Sequence, residues 1–129
     1  MNPVYFETLF ASDSDWCDVP SSFAIITAHA TTGQSWPADK NERADAALEQ
    51  KLRERETWVR RLTGFSPTTS HAEPGWAVAV EFETACDIGQ AFEQDAIYFV
   101  RDDQLFVSHC DHRRSLISVG DFRSRLRSS

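Results

Sequence analysis

The chain has 129 residues, 41% of them hydrophobic and 26% charged, with a formal net charge of −7. That length suits one domain with a real core, and the composition excludes a disordered tail. No run approaches the roughly 18 apolar residues of a membrane span, and the acidic balance argues against nucleic acid as a main partner.

"MNPVYFETLF" has no basic n-region and carries Glu7 in its apolar segment, so a cytoplasmic location is expected by default. Cys17, Cys86 and Cys110 are an odd count without CxxC spacing, which fits free thiols in a reducing compartment. Charge is uneven. Glu7, Asp13, Asp15 and Asp18 stand in the first twenty residues with no Lys or Arg; Arg113, Arg114, Arg123, Arg125 and Arg127 face only Asp121 in the last seventeen. These ends are expected to be solvated or packed near each other, with a basic tail docking on an acidic partner or RNA as the alternative, RNA being disfavoured by the overall charge.

In chain order, "PVYFETLF" reads as a short helix and "ASDSDWCDVPSS" as loop. Phe23 to Ala28, "FAIITA", is a continuous apolar run, the mark of a buried central strand. Asp39 followed by Glu42 resembles a capping box after Pro37, and Ala44, Ala47, Leu48 and Leu52 recur at helical spacing to about Arg55. "TWVRRLTGFS" reads as a second strand ending at Gly64, and "SPTTSHAEPG" as a turn-rich connection.

"WAVAVEF" alternates. Trp76, Val78, Val80 and Phe82 should face the helices, with Ala77, Ala79 and Glu81 on a thinner or exposed face. Ala85, Ile88, Gly89 and Phe92 predict a second helix, with Gly89 packed closely on the sheet. "AIYFV", the tight turn "RDDQ" and "LFVSHC" predict a hairpin, and a helical turn is expected after Gly120.

Strand, helix, strand, strand, helix, strand is the order of the α+β ferredoxin-like (split βαβ) fold: an antiparallel sheet with two helices on one face, here plus an extra C-terminal hairpin strand. A right-handed crossover gives the sheet order fourth, first, third, second. On that topology Thr27, His29, Thr32, Gln34, Asn41, Glu73 and Gln94 converge at the end of the first strand, beside the unpaired amides of the first helix. This is the candidate site. His29 suits general acid–base work with Glu73 as partner, or a structural role. Glu73, held extended by Pro74, suits a ligand or the amides opening the first helix. Gln94 suits a ligand or the backbone of its junction; Asn41 a ligand or its own helical turn.

"SHCDHRR" places only Cys110 and His112 on one face, so no metal site is expected there. No phosphate loop, G-x-S-x-G or HExxH is present, and no cofactor is expected. "FAIITAHATTGQ", Asn41, "HAEPGWAV", "FEQDAIYFV", "LFVSHC" and "SVGDFRSRL" together resemble domain-of-unknown-function family 3293 of bacteria, over about Tyr5 to Leu126. Ala30 and Thr31 stand where that family often has Asn-Pro. The resemblance implies no activity; it implies that the "ITA" segment, Asn41, Glu73 and "QDAI" belong together.

Three functions follow as expectations. The first is binding of a small polar or anionic metabolite through Thr27, His29, Asn41, Glu73 and Gln94. The second is a protein-interaction module using a sheet edge or the Arg-rich C-terminus, favoured by an exposed Trp16 or Trp36. The third is a small hydrolase or transferase using His29 and Glu73.

Overall fold

The computed structural model describes residues 1–30, 35–69 and 71–128. A 3-10 turn at Pro3–Phe6 leads into strand β1 (Leu9–Ser12), followed by β2 (Ser22–Thr27), helix α1 (Ala38–Arg55), β3 (Val59–Phe65) and β4 (Ala72–Val78). Helix α2 (Phe82–Ala91), β5 (Ala96–Arg101), β6 (Gln104–His109), β7 (Ile117–Asp121), a 3-10 turn at Arg123–Arg125 and β8 (Leu126–Ser128) complete the chain.

These strands form one sheet in the order β7-β6-β5-β2-β4-β3-β1-β8, curled into a half-barrel. The ferredoxin-like expectation is thereby corrected. The sheet has eight strands and is mixed, because β8 pairs parallel to β1. Two of the added strands arise where loop or helix was expected: β1 overlaps "ASDSD", and β8 follows the C-terminal turn. Both are short segments without strong alternation. Their strand state depends on β3, whose free edge pairs with β1 through Leu9↔Phe65 and Ala11↔Thr63.

Two cores, one on each face, explain the unbroken apolar runs of β2 and β5. Ala24 and Ile26 join Trp76, Val78, Leu48, Leu52, Ala85, Cys86 and Ile88 under the two helices. Phe23 and Ile25 join Phe10, Leu62, Ala77, Tyr98, Val100, Leu105 and Val107 on the concave face. Ala77 therefore faces a second core instead of a thin or exposed surface. Gly89 does lie against the sheet; a Cβ there would meet Cys110 Sγ and Ile97 Cγ2 at 2.7 Å.

Helix α1 starts at Ala38 with Pro37 as its N-cap and no capping side chain, so the Asp39–Glu42 capping box is not formed. Asp39 instead pairs with Arg43 on the exposed face. Strand β4 begins at Ala72, four residues before "WAVAVEF", and the chain is already in α2 at Phe82. Pro74 is tolerated in β4 because β2 pairs only from Gly75 onward, leaving the β2 side of Pro74 without a ladder partner. The C-terminal arginines are tied into the fold through backbone carbonyls. Arg123 donates to Trp16 O, and Arg125 donates to Thr8 O and Val119 O, linking the two rims of the half-barrel.

Candidate functional site

Small residues on the concave face decide where the half-barrel is hollow. Leu62 lies opposite Gly75, and Gly64 opposite Glu73, across β3 and β4. Gly75 lies opposite Thr27 across β4 and β2. A Cβ on Gly75 would sit 2.8 Å from Thr27 Cγ2 and 2.9 Å from the Ile26 carbonyl, so only glycine permits this approach. Together with Ala96 on β5 these positions leave a cavity of about 570 Å³ at the end of the half-barrel where β2 finishes. That volume is ordinary for a small-molecule pocket.

Thr27, His29, Asn41, Glu73 and Gln94 all line this cavity. Thr32 and Gln34 lie outside the described residues. Period-two alternation puts Thr27 and His29 on the face of Ile25, and Glu73 and Gly75 on the face of Ala77. Gln94 precedes Ala96 and Tyr98 in the same way.

The polar groups are organised. Gln94 is buried; its Nε2 donates to His29 O at 2.9 Å and to Phe92 O at 2.8 Å, and its Oε1 accepts from Thr27 Oγ1 at 2.8 Å. One amide thus fixes the end of β2 to the turn before β5. Asn41 does not bond its own helical turn. Its Oδ1 accepts from Ala30 N–H at 3.0 Å, pinning the chain after β2 to the first turn of α1. Its amide hydrogens have no partner among the described residues.

His71, which the sequence pattern does not single out, also lines the cavity. Its Nε2 lies 2.6 Å from Glu73 Oε2, so the partner of Glu73 is His71 and neither His29 nor the amides of α1. The signal was available: the two are spaced i, i+2, the same-face spacing of a strand, but this stretch read as a turn. The His29 and His71 rings meet edge to face with centroids 6.0 Å apart. His29 Nδ1 is buried without a hydrogen-bond partner among the described residues. An atom in that state costs on the order of 1–3 kcal/mol until something pairs with it.

Below this polar mouth the wall is aromatic. Phe10 and Tyr98 meet edge to face at 5.2 Å, and Tyr5 and Tyr98 at 6.2 Å. Tyr98 Oη donates to Tyr5 O at 2.8 Å, and burial pushes its phenol pKa well above the usual tyrosine value. The 3-10 turn at Pro3–Phe6 is thereby held across the opening, reinforced by Thr8 Oγ1 donating to Val4 O.

Other candidate chemistry is absent from the cavity. The thiols of Cys86 and Cys110 are buried on the helix side, and burial pushes their pKa up, that of Cys110 to about 12. They are not thiolate nucleophiles at neutral pH. Among the described residues no group of three or more His, Cys, Asp or Glu is arranged to hold a metal. Trp16, a possible interface anchor by sequence, is buried in the concave core, and Trp36 is half-buried at the cavity. Arg113 is paired with Asp111, and Arg114 with Glu83 and Asp87.

The family model described as "Protein of unknown function (DUF3293)" matches residues 26–97, more than half of the chain. The chain belongs to this family. No curated protein and no solved structure matches it. Among the described residues no helix is long and apolar enough to cross a membrane.

Proposed function

We propose that this member of the DUF3293 family binds a small organic molecule at the open end of its half-barrel. A 570 Å³ cavity with an aromatic floor and a built polar mouth carries the reading. Thr27, Gln94 and Asn41 rigidify the mouth by bonding one another or the backbone, while Glu73, His71 and the Asn41 amide hydrogens are its recognition groups. Such a division, an apolar chamber with a few placed polar groups, is how small-molecule sites obtain both affinity and orientation.

The lining favours a polar ligand over an anionic one. It includes Glu73 and Asp95 but neither Lys nor Arg. Ala38 and Asp39, which hold the first N–H groups of α1, are not among the lining residues either. A thermal-shift screen of amino acids, nucleosides, sugars and amines tests the reading. A ligand at 100 times its dissociation constant stabilises by about 2.7 kcal/mol, a rise of roughly 10 °C in the midpoint for a domain of this size. That rise should vanish in Ala96→Leu, which fills the chamber. A panel without any hit that depends on Ala96 counts against a ligand site.

A second reading rests on the 2.6 Å His71–Glu73 pair. A carboxylate that holds one imidazole nitrogen fixes the tautomer and leaves the other nitrogen for a substrate proton. On this reading the bound molecule is a substrate for proton transfer. His71→Asn would then abolish turnover while leaving ligand affinity within a few-fold of the parent; equal loss of affinity and turnover would make His71 a binding residue only.

A further inference from the structure

We infer that the ligand of this cavity is an organic ammonium: a primary or N-methylated amine carried on an aromatic-sized apolar body. The inference rests on the cavity reading above and narrows it to one chemical class. Three independent features of the lining point the same way. The first is charge. Glu73 and Asp95 are its carboxylates, and Glu73 accepts only from His71 through Oε2, leaving Oε1 without a partner among the described residues. A carboxylate or phosphate ligand would meet these acids with no Lys or Arg in the lining to offset them, whereas an ammonium gains charge-assisted hydrogen bonds.

The second feature is the wall. Tyr5, Phe10 and Tyr98 form a continuous edge-to-face cluster beneath the mouth. Ring surfaces attract a cation or the polarised N-methyl groups around it, and the same rings bury an apolar body. The Tyr98 phenol stays protonated because burial raises its pKa and because it is committed to Tyr5 O.

The third is the exposure of the side chain that holds Glu73. His71 is the group that faces Glu73, and its side chain is 57% exposed against 31% for Glu73. An arriving ammonium can displace the imidazole into water without leaving a buried donor unpaired. Gln94 and Thr27, by contrast, are locked in their own bonds and keep the mouth open.

Isothermal titration of the full chain with three near-isosteric probes separates the classes: 2-phenylethylammonium, 2-phenylethanol and 3-phenylpropionate. The ammonium should bind about tenfold tighter than the alcohol, the worth of one charge-assisted contact, and the propionate should not bind. Glu73→Gln should remove the tenfold advantage, so that ammonium and alcohol bind alike. Asp95→Asn, at an exposed position, should reduce the advantage in the same direction and serves if Glu73→Gln does not fold. An alcohol or propionate that binds as well as the ammonium, with binding lost in Ala96→Leu, overturns the ammonium class and keeps the cavity. Silence from all three probes beside Ala96-dependent hits in the wider screen also removes the class alone. Silence in both experiments removes class and cavity together.

Discussion

The two ends of the concave face are built from the same strands and do opposite things. At one end Trp16, Phe23, Trp58 and Phe122 meet with ring centroids 5.2–6.0 Å apart, leaving a cleft of only about 140 Å³ beside Phe23 and Phe122. At the other, Gly64, Gly75 and Ala96 carry so little volume that a cavity four times larger remains (570 against 140 Å³). Strands β2, β4 and β5 run through both ends, so the difference is one of side-chain size along alternate positions. The packed end can supply the stability that lets the open end stay hollow.

Substitutions should separate the two ends by size of effect. Phe23→Ala, at 1% exposure inside the aromatic plug, should cost about 3–5 kcal/mol in urea unfolding without altering probe affinity. A cost under 1 kcal/mol would mean that the plug is not the stabilising end. Gly75→Ala forces a Cβ against Thr27 and the Ile26 carbonyl and should cost about 1–3 kcal/mol, with a matching loss of probe binding as β2 and β4 part.

Tyr98→Phe removes the bond to Tyr5 O and should cost about 1 kcal/mol at neutral pH. It should also change the alkaline limb of stability. A phenol whose folded pKa is raised contributes stability that is complete below its unfolded value near 10.0 and is lost as pH rises toward the folded value. The parent should therefore weaken more steeply above pH 10 than Tyr98→Phe; parallel alkaline limbs would show that the phenol is not buried. Ala96→Leu, at the open end, should change stability by less than about 1 kcal/mol because it enters empty space, yet abolish probe binding. That pairing of a silent stability change with a complete loss of binding is the sharpest separation of the two ends.

Much of this was readable from the sequence, and the failures have specific causes. Five of the strands and both helices stand out by apolar period or by continuous runs, and Thr27, His29, Asn41, Glu73 and Gln94 line one cavity although the topology that grouped them was the wrong one. β1, β7 and β8 do not stand out because these short segments take their strand state from the free edge of a neighbour, β3, β6 and β1 respectively. The Ala72–Gly75 start of β4 was missed because "HAEPG" has turn composition. Pro74 itself pairs with β3 alone, which makes it harmless there. His71 was lost with it, since a residue read as turn has no defined face.

The sequence by itself determined the secondary-structure periods and the burial of β2 on both faces. These are local properties, set by composition and by spacing along one strand. Tertiary structure decided the curl of the sheet, the second core inside it, the joining of its two rims by Arg125 and the pairing of Glu73 with His71. Each of these depends on distances between strands remote in sequence. A hollow in particular is a difference between the space that backbones enclose and the volume that side chains fill, and only the assembled half-barrel fixes the first of those quantities.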